Sequence, residues 1–183
     1  GRAITIEIRV RPAMETTSAP GIVTLFDGRT PEIFAIRQWR SHLVIWSRAD
    51  EPADRKRSTP YQEIGLRDAF LTGQDVFLAI ASDRSGSALY MNGSLVRSYP
   101  RRSLLTVDIA GEPRLILGNL PGGESQWTGD IMGLAIYNRV LKPDEVFRDF
   151  QFWVQNDTFS IKQQIGLVAL YPFYERKGEM IRN

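Results

Sequence analysis

The sequence predicts an all-β fold of two packed antiparallel sheets, a β-sandwich or jelly roll. Short apolar or alternating segments recur along the 183 residues, and turn signals separate them at close spacing. Only one segment has a clear helical pattern, so we expect one short helix near residues 143–150.

The composition is that of an ordinary soluble globular domain, with 43% hydrophobic and 24% charged residues. The net charge of +2 produces no long-range field for nucleic acid, and the arginines are scattered along the chain. We therefore predict no nucleic-acid partner. Cysteine is absent, which excludes disulfides and thiolate sites, and no apolar run is long enough to span a membrane.

Several strands are predicted in the first half of the chain. Ile4, Ile6, Ile8 and Val10 alternate with polar residues, which indicates a strand with one face in water. Residues 22–26, 34–39 and 43–47 follow as strands, the last two as a hairpin around Arg40-Ser41. The charged segment 48–60 contains prolines and is predicted to be an exposed loop, whereas residues 64–70 fit either a strand or a helix.

The second half ends in a strand, a turn and a helix. Asn92-Gly93 is the strongest hairpin signal, and residues 76–81, 104–109 and 114–117 read as further strands. Residues 131–137 are apolar on both alternating faces, as in a strand covered from both sides. Pro143, Asp144 and Glu145 then suit the first turn of a helix. Residues 153–164 are polar and are predicted to be a connector.

The segment 127–150 resembles the closing motif of laminin-G-like domains in the concanavalin A-like lectin and glucanase superfamily. The matching positions are Trp127, Gly129, Ile131, Ile136, Tyr137, Asn138, Arg139, Leu141 and Glu145. Residues 5–12 also resemble a strand of that family. The resemblance extends over residues 1–150 and implies a concanavalin A-like sandwich, although Met132 stands where the family has an acidic residue.

The C-terminal residues 166–178 resemble the opening strand of a laminin-G-like domain. In one interpretation, residues 1–183 form a single domain in which residues 166–174 supply a permuted edge or inner strand beside residues 131–137. In the other, residues 1–152 form the domain and residues 153–183 a linker and the start of a further segment. The arrangement also resembles the extracytoplasmic part of VanZ-like bacterial membrane proteins.

Catalysis requires groups that the sequence does not bring together. The superfamily includes retaining glucanases, which hold two carboxylates about 5 Å apart, on one strand with Glu-x-Asp-x-Glu spacing. No such run occurs here, and Glu7 stands alone on its strand. His42 is the single histidine, and the sequence has no Gly-x-Ser-x-Gly nucleophile elbow for which it could act as the base. We predict that the domain is not an enzyme, with a glycoside hydrolase-like activity as the alternative.

No cofactor is predicted, and calcium is the one metal that the resemblance suggests. Many relatives bind it through Asp and Asn side chains, for which the candidates here are Asp27, Asp83, Asn119 and Asp130. Met132 in place of an acidic residue argues against this site, so roles in turns are favoured for these side chains.

The remaining site candidates surround one hairpin. Carbohydrate sites stack sugar rings on exposed aromatic side chains, and polar groups lie around them. The candidate ligand-binding residues are Arg37, Trp39, Arg40, His42, Trp46 and Arg48. The alternative is that each of the large aromatic side chains fills the core, which we favour for Trp127, Trp153 and Tyr137 and, by a smaller margin, for Trp39 and Trp46.

These observations predict a non-catalytic recognition domain outside the cytoplasm. Its ligand is expected to be a glycan or a protein surface. The domain itself is not predicted to enter a membrane, but to be tethered to a membrane segment. A structural spacer module of a membrane protein is the alternative from another functional class.

Overall fold

A computed structural model of the protein describes residues 3–29, 32–48, 61–105, 113–123 and 125–173. The strands of this part are β1 Ile4–Pro12, β2 Gly21–Phe26, β3 Phe34–Trp39, β4 His42–Arg48, β5 Tyr61–Leu66, β6 Val76–Asp83, β7 Gly86–Met91, β8 Ser94–Pro100, β9 Arg114–Leu117, β10 Gly129–Tyr137 and β11 Leu167–Tyr171. The helices are α1 Pro143–Gln155 and α2 Thr158–Lys162. The predicted all-β class with two antiparallel sheets is confirmed.

One compact unit contains a five-stranded sheet in the order β5-β4-β3-β2-β9. Its centre is the predicted hairpin of β3 and β4, in which Trp39 pairs with His42 across the two-residue Arg40-Ser41 turn. Arg40 has a φ of 54°, a left-handed conformation that the tight turn requires. Ile36 and Ile45 pair on one face of this hairpin, and both are completely buried.

The other unit contains a six-stranded sheet in the order β11-β10-β1-β6-β7-β8, together with both helices. The turn between β7 and β8 lies at Asn92-Gly93, as predicted, with φ values of 50° and 78°. These are the two positive angles of a type I′ turn. Gly93 is also required by packing, because an added Cβ would lie 2.9 Å from Phe150 of α1.

The first part of the polar face of β1 is buried, so the predicted wet face was wrong for Thr5 and Glu7, whereas Arg11 at the other end of the strand is exposed. Thr5 and Glu7 are completely buried, because α1 and the turn before it cover this side of the sheet. Thr5 Oγ1 donates to the Arg139 carbonyl and accepts from the Leu141 amide. The period-2 pattern identified the strand correctly but not its surroundings, since satisfied polar groups can also lie under a helix.

Helix α1 begins at Pro143 as predicted but continues to Gln155, five residues beyond its expected end. The predicted connector 153–164 was therefore wrong, because it contains the last turn of α1 and all of α2. Trp153 and Ile161 are 2% and 0% exposed and anchor these helices on the sheet, whereas most residues between them are polar. Neither helix has the length and apolar character needed to cross a membrane.

Strand β11 pairs antiparallel with β10, with Ala135 opposite Leu170. The C-terminal strand thus lies beside the segment for which we expected a neighbour, while the division of the chain into domains stays a prediction. Residues 64–66 belong to β5 and residues 67–70 do not continue it. Residues 104 and 105 are buried but not in a strand, and the rest of the predicted strand 104–109 lies outside the described residues, as do residues 49–60 of the predicted loop.

Candidate functional site

Five of the six predicted ligand-binding residues share one face of the five-stranded sheet. Cross-strand partners lie on the same side of a sheet, and Arg37 pairs with Val44, Trp39 with His42 and Ala35 with Trp46. Arg48 lies two residues after Trp46 on β4, so its side chain is on the same face, and it pairs with Tyr61 of β5. We call the set Arg37, Trp39, His42, Trp46, Arg48 and Tyr61, with Arg40 in the adjoining turn, the aromatic face.

Trp46 is enclosed within the aromatic face. The guanidinium carbon of Arg37 lies 3.8 Å from the centre of its ring, and Tyr61 stacks on it at 4.8 Å with an interplanar angle of 10°. Arg37 comes from β3 and Tyr61 from β5, on opposite sides of β4, so both surfaces of the indole are covered. Trp46 is therefore built into the sheet surface and offers no open ring to a ligand.

Trp39 is the accessible tryptophan of this face, with 42% of its surface exposed. The Arg40 guanidinium lies 5.1 Å from its ring, and the His42 ring is 5.6 Å away at a tilt of 55°. An exposed indole beside one cation and one imidazole combines an apolar surface with hydrogen-bond donors. This is the combination that an aromatic binding site requires.

The bonds of His42 determine which ring nitrogen carries the proton. Its Nδ1 accepts from the Asp68 amide at 3.1 Å, so the neutral ring has its proton on Nε2. Ser41 Oγ donates to the Asp68 carboxylate at 2.8 Å and lies 3.5 Å from Nδ1. The carboxylate thus binds the serine hydroxyl and does not orient the imidazole as a base, so this group does not reproduce a Ser-His-Asp arrangement.

The other arginines of the aromatic face are held by carboxylates. Arg37, 7% exposed, forms an ion pair with Glu32, and burial lowers the pKa of its guanidinium. Arg48 donates two hydrogen bonds to Asp27, at 2.7 and 3.0 Å. These bonds hold the pKa of Asp27 well below its usual value. These ion pairs consequently fix the positions of both arginines on the aromatic face.

The four calcium candidates have other bonds. Asp27 is bound to Arg48, Asp83 accepts from the amide and hydroxyl of Ser85, and Asn119 Oδ1 accepts from the amide of Leu120. Asp130 is exposed and lies 3.8 Å from the Arg11 guanidinium. Among the residues that the structure describes, no group of three or more acidic or histidine side chains is placed to hold a metal ion.

A buried pair of carboxyl groups was missed by the sequence analysis. Tyr137 Oη donates to Asp149 Oδ2 at 2.9 Å and lies 3.5 Å from Glu7 Oε2, which also accepts from Trp153 Nε1 at 3.1 Å. Glu7 and Asp149 are 0% exposed, so neither can touch a ligand in solution. Trp127, Trp153 and Tyr137 are all buried, which confirms their predicted core positions. Only the i, i+4 spacing of Asp149 and Trp153, which places both side chains on one face of α1, could have indicated part of this cluster.

The comparisons with known proteins concern the family and the fold. A family model for the Concanavalin A-like lectin/glucanases superfamily matches residues 1–147. No curated protein matches the chain in sequence.

Several solved structures have a similar fold. The CBM40 module of Ruminococcus gnavus IT-sialidase, bound to α2,3 sialyllactose, has 17% identity and a TM-score of 0.63, covering 81% of this chain and 83% of that one. Domain 4 of AbnA, a GH43 extracellular arabinanase from Geobacillus stearothermophilus in complex with arabinotriose, has 21% identity and a TM-score of 0.53, covering 81% and 66%. The binding domain of botulinum neurotoxin DC, in complex with rat synaptotagmin II, has 14% identity and a TM-score of 0.55, covering 82% and 36%. The chain spans less than two thirds of the last two, and at these identities the likeness is one of fold.

Proposed function

We propose that the chain, which belongs to the Concanavalin A-like lectin/glucanases superfamily, is a non-catalytic domain that binds a glycan on the aromatic face of its five-stranded sheet. The observation that carries this proposal is Trp39, which is 42% exposed on a strand whose other residues are buried. Two of the structures with a similar fold hold a sugar, sialyllactose in one and arabinotriose in the other, which supports a glycan as the ligand.

In the proposed complex, a sugar ring stacks on the open surface of Trp39. Its CH groups meet the indole, while its hydroxyl groups accept hydrogen bonds from Arg40 and from Nε2 of His42. Nε2 is the available donor because Nδ1 already accepts from the Asp68 amide. Trp46, Arg37 and Arg48 lie on the same face of the sheet and are fixed by the contacts described above.

The carboxylate positions support binding without catalysis. A retaining glycosidase needs two accessible carboxyl groups about 5 Å apart on either side of the bond to be cleaved. Among the described residues, the fold brings together the carboxyl groups of Glu7 and Asp149, which lie between α1 and the six-stranded sheet and have no exposed surface. The alternative of a glycoside hydrolase would need a pair at the aromatic face, where Glu32 and Asp27 are engaged by arginines.

A glycan array that includes α2,3-sialyllactose and arabinotriose tests the proposal. We expect the wild type to bind at least one glycan and Trp39→Ala to weaken that binding about tenfold or more, by comparison with the stacking of a nucleic-acid base on an aromatic ring, which contributes about 1–3 kcal/mol. Trp39→Phe, which keeps a ring, is the matched control and should retain most of the affinity. A folded wild type that binds no glycan, or a Trp39→Ala variant that binds normally, would refute it.

Two further measurements separate the alternatives. Release of reducing sugar from a β-glucan polymer would replace the binding role by catalysis. Retention of a protein ligand, lost in Trp39→Ala and unaffected by free glycans, would assign the same face to a protein surface.

We further propose that the domain works outside the cytoplasm, tethered to a membrane segment of a longer protein. The arabinanase with a similar fold is an extracellular enzyme, and a laminin-G-like domain followed by such a C-terminal segment resembles the extracytoplasmic part of VanZ-like membrane proteins, which supports the tether. Fractionation of cells with an antibody against the domain tests both statements, because a protein found free in the cytoplasm contradicts them.

A further inference from the structure

The buried acid cluster of Glu7, Tyr137 and Asp149 joins α1 to two strands of the six-stranded sheet. Glu7 comes from β1, Tyr137 from β10 and Asp149 from the middle of α1. Trp153, one turn further along α1, donates its indole N–H to the same Glu7 oxygen at 3.1 Å. The cluster lies among apolar side chains, because Phe77, Ala79 and Ala135 belong to the same core.

The charges around the cluster do not neutralise two carboxylates. The cationic atom that lies near the two carboxyl groups is Arg148 Nε. It is 3.8 Å from Asp149 Oδ1, which is too far for a hydrogen bond. Arg139 binds Glu145 through two hydrogen bonds of 2.8 and 2.9 Å. The titratable and charged groups that face the cluster are thus Glu7, Tyr137, Asp149, Glu145, Arg139 and Arg148.

A shared proton resolves the repulsion between the two buried acids. With a proton on Glu7 Oε2, that group can donate to Tyr137 Oη, which in turn donates to Asp149. Without it, two negative charges would flank one hydroxyl in an apolar core, and Glu7 Oε1 and Asp149 Oδ1 have no hydrogen-bond partner among the described residues. Burial, and then the Asp149 carboxylate, raise the pKa of Glu7, and burial raises the pKa of Asp149.

We propose that Glu7, Tyr137 and Asp149 form a proton-controlled latch that holds helix α1 on the six-stranded sheet and releases it when the shared proton is lost. The two ends of the helix have separate attachments that do not need this proton. Glu145 is bound by Arg139 at the N-terminal end, and Arg9 donates to the Trp153 carbonyl and to Asn156 at the C-terminal end. The latch therefore controls the middle of the helix.

The direction of the pH effect follows from the raised pKa of Glu7. The closed helix binds a proton that the open form gives up, so closure is favoured at low pH. Its stability falls as the pH rises from the ordinary value of 4.5 through the raised pKa. Opening releases this proton to solvent and lets both carboxylates become hydrated.

Hydrogen exchange of the full chain tests the latch between about pH 5 and about pH 9, with each amide corrected for its intrinsic exchange rate. Protection of peptides from α1 should fall by up to about tenfold for each pH unit above the ordinary pKa of 4.5, where only the closed helix still holds the proton, and should level off above the raised pKa of Glu7. Peptides from β3 and β4 should keep their protection, because the acid cluster has no member in that sheet. Constant protection of α1, or a parallel loss in both regions, would overturn the proposal.

Substitutions identify the titrating group. Glu7→Gln keeps the shape of the protonated acid and cannot ionise, so the part of the pH dependence of α1 protection that comes from Glu7 should disappear and only that of Asp149 should remain. Glu63→Gln on β5, an exposed carboxyl group, is the matched control and should behave as the wild type. Asp149→Asn provides a second variant, in which removal of the neighbouring charge should reduce the total loss of protection between the two pH limits. A Glu7→Gln or Asp149→Asn protein with the wild-type pH dependence would contradict the latch.

Discussion

Replacing Gly133 with alanine should destabilise the protein by about 2–5 kcal/mol. A Cβ on this β10 residue would lie 2.5 Å from Cη2 and 3.1 Å from Cε3 of Trp153, with Cζ3 closer still. The indole is 2% exposed and cannot turn away without moving α1. Overpacking of this kind costs about 1–3 kcal/mol, and loss of the Trp153–Glu7 hydrogen bond adds about 1–2 kcal/mol. The sum is a large part of the roughly 5–15 kcal/mol that stabilise a domain.

Equilibrium unfolding in urea measures the effect, with Gly65→Ala as the matched control. A Cβ on Gly65, in β5, would meet only the Leu43 carbonyl oxygen at 3.5 Å, which is an ordinary contact. That variant should stay within about 1 kcal/mol of the wild type, because alanine there only restricts the unfolded chain. Equal stabilities for the two variants would refute the close packing of Trp153 on β10.

Three further substitutions test other contacts. Glu145→Gln removes the charge and one of the two oxygens that accept from Arg139, and these hydrogen bonds lower the pKa of Glu145 to about 2. The substitution should therefore lower the free energy of unfolding by about 1 kcal/mol at neutral pH. This difference from the wild type should vanish as the pH falls from 4.5 through about 2. Urea unfolding that gives an equal difference at pH 7 and near pH 2 would contradict this. Gly93→Ala, at a φ of 78° and against two phenylalanines of α1, should cost about 1–3 kcal/mol and lower the Tm, so an unchanged Tm would be the opposing result. Trp46→Ala should cost about 3 kcal/mol in urea unfolding, whereas Trp39→Ala should cost less than about 1 kcal/mol, and the reverse order would show that we misassigned the two rings.

Local signals were sufficient for most of the strands and turns that the structure describes. The alternation in residues 4–10 predicted β1, and Asn92-Gly93 predicted a turn whose two positive φ values are observed. Both signals depend on backbone geometry within a few residues. The position at which α1 ends depends instead on Trp153, which is buried against Gly133. These two residues are twenty positions apart in the sequence. A segment of low hydropathy around one anchoring side chain has no local signature of a helix.

The burial of Glu7 required information that alternation does not contain. A period of two shows that the faces of a strand differ, but a polar face can lie in water or under an element that satisfies its bonds. Here the covering element is a helix more than 130 residues later, as the contact of Trp153 with Glu7 shows. The two carboxyl groups were each recognisable in the sequence, but their proximity follows from the packing of α1.

In the candidate site, too, some features depend on local contacts and others on contacts between residues far apart in the sequence. A two-residue turn makes Arg37, Trp39, His42 and Trp46 share a face by parity alone, so the group itself could be predicted. The sequence could not predict which tryptophan remains open to a ligand. That depends on Tyr61, which stacks on Trp46 from β5, on the other side of β4 from β3. The pairing of β4 with β5 therefore closes one ring and leaves the binding role to Trp39, and this is why a substitution of Trp39 tests ligand contact whereas one of Trp46 tests the sheet.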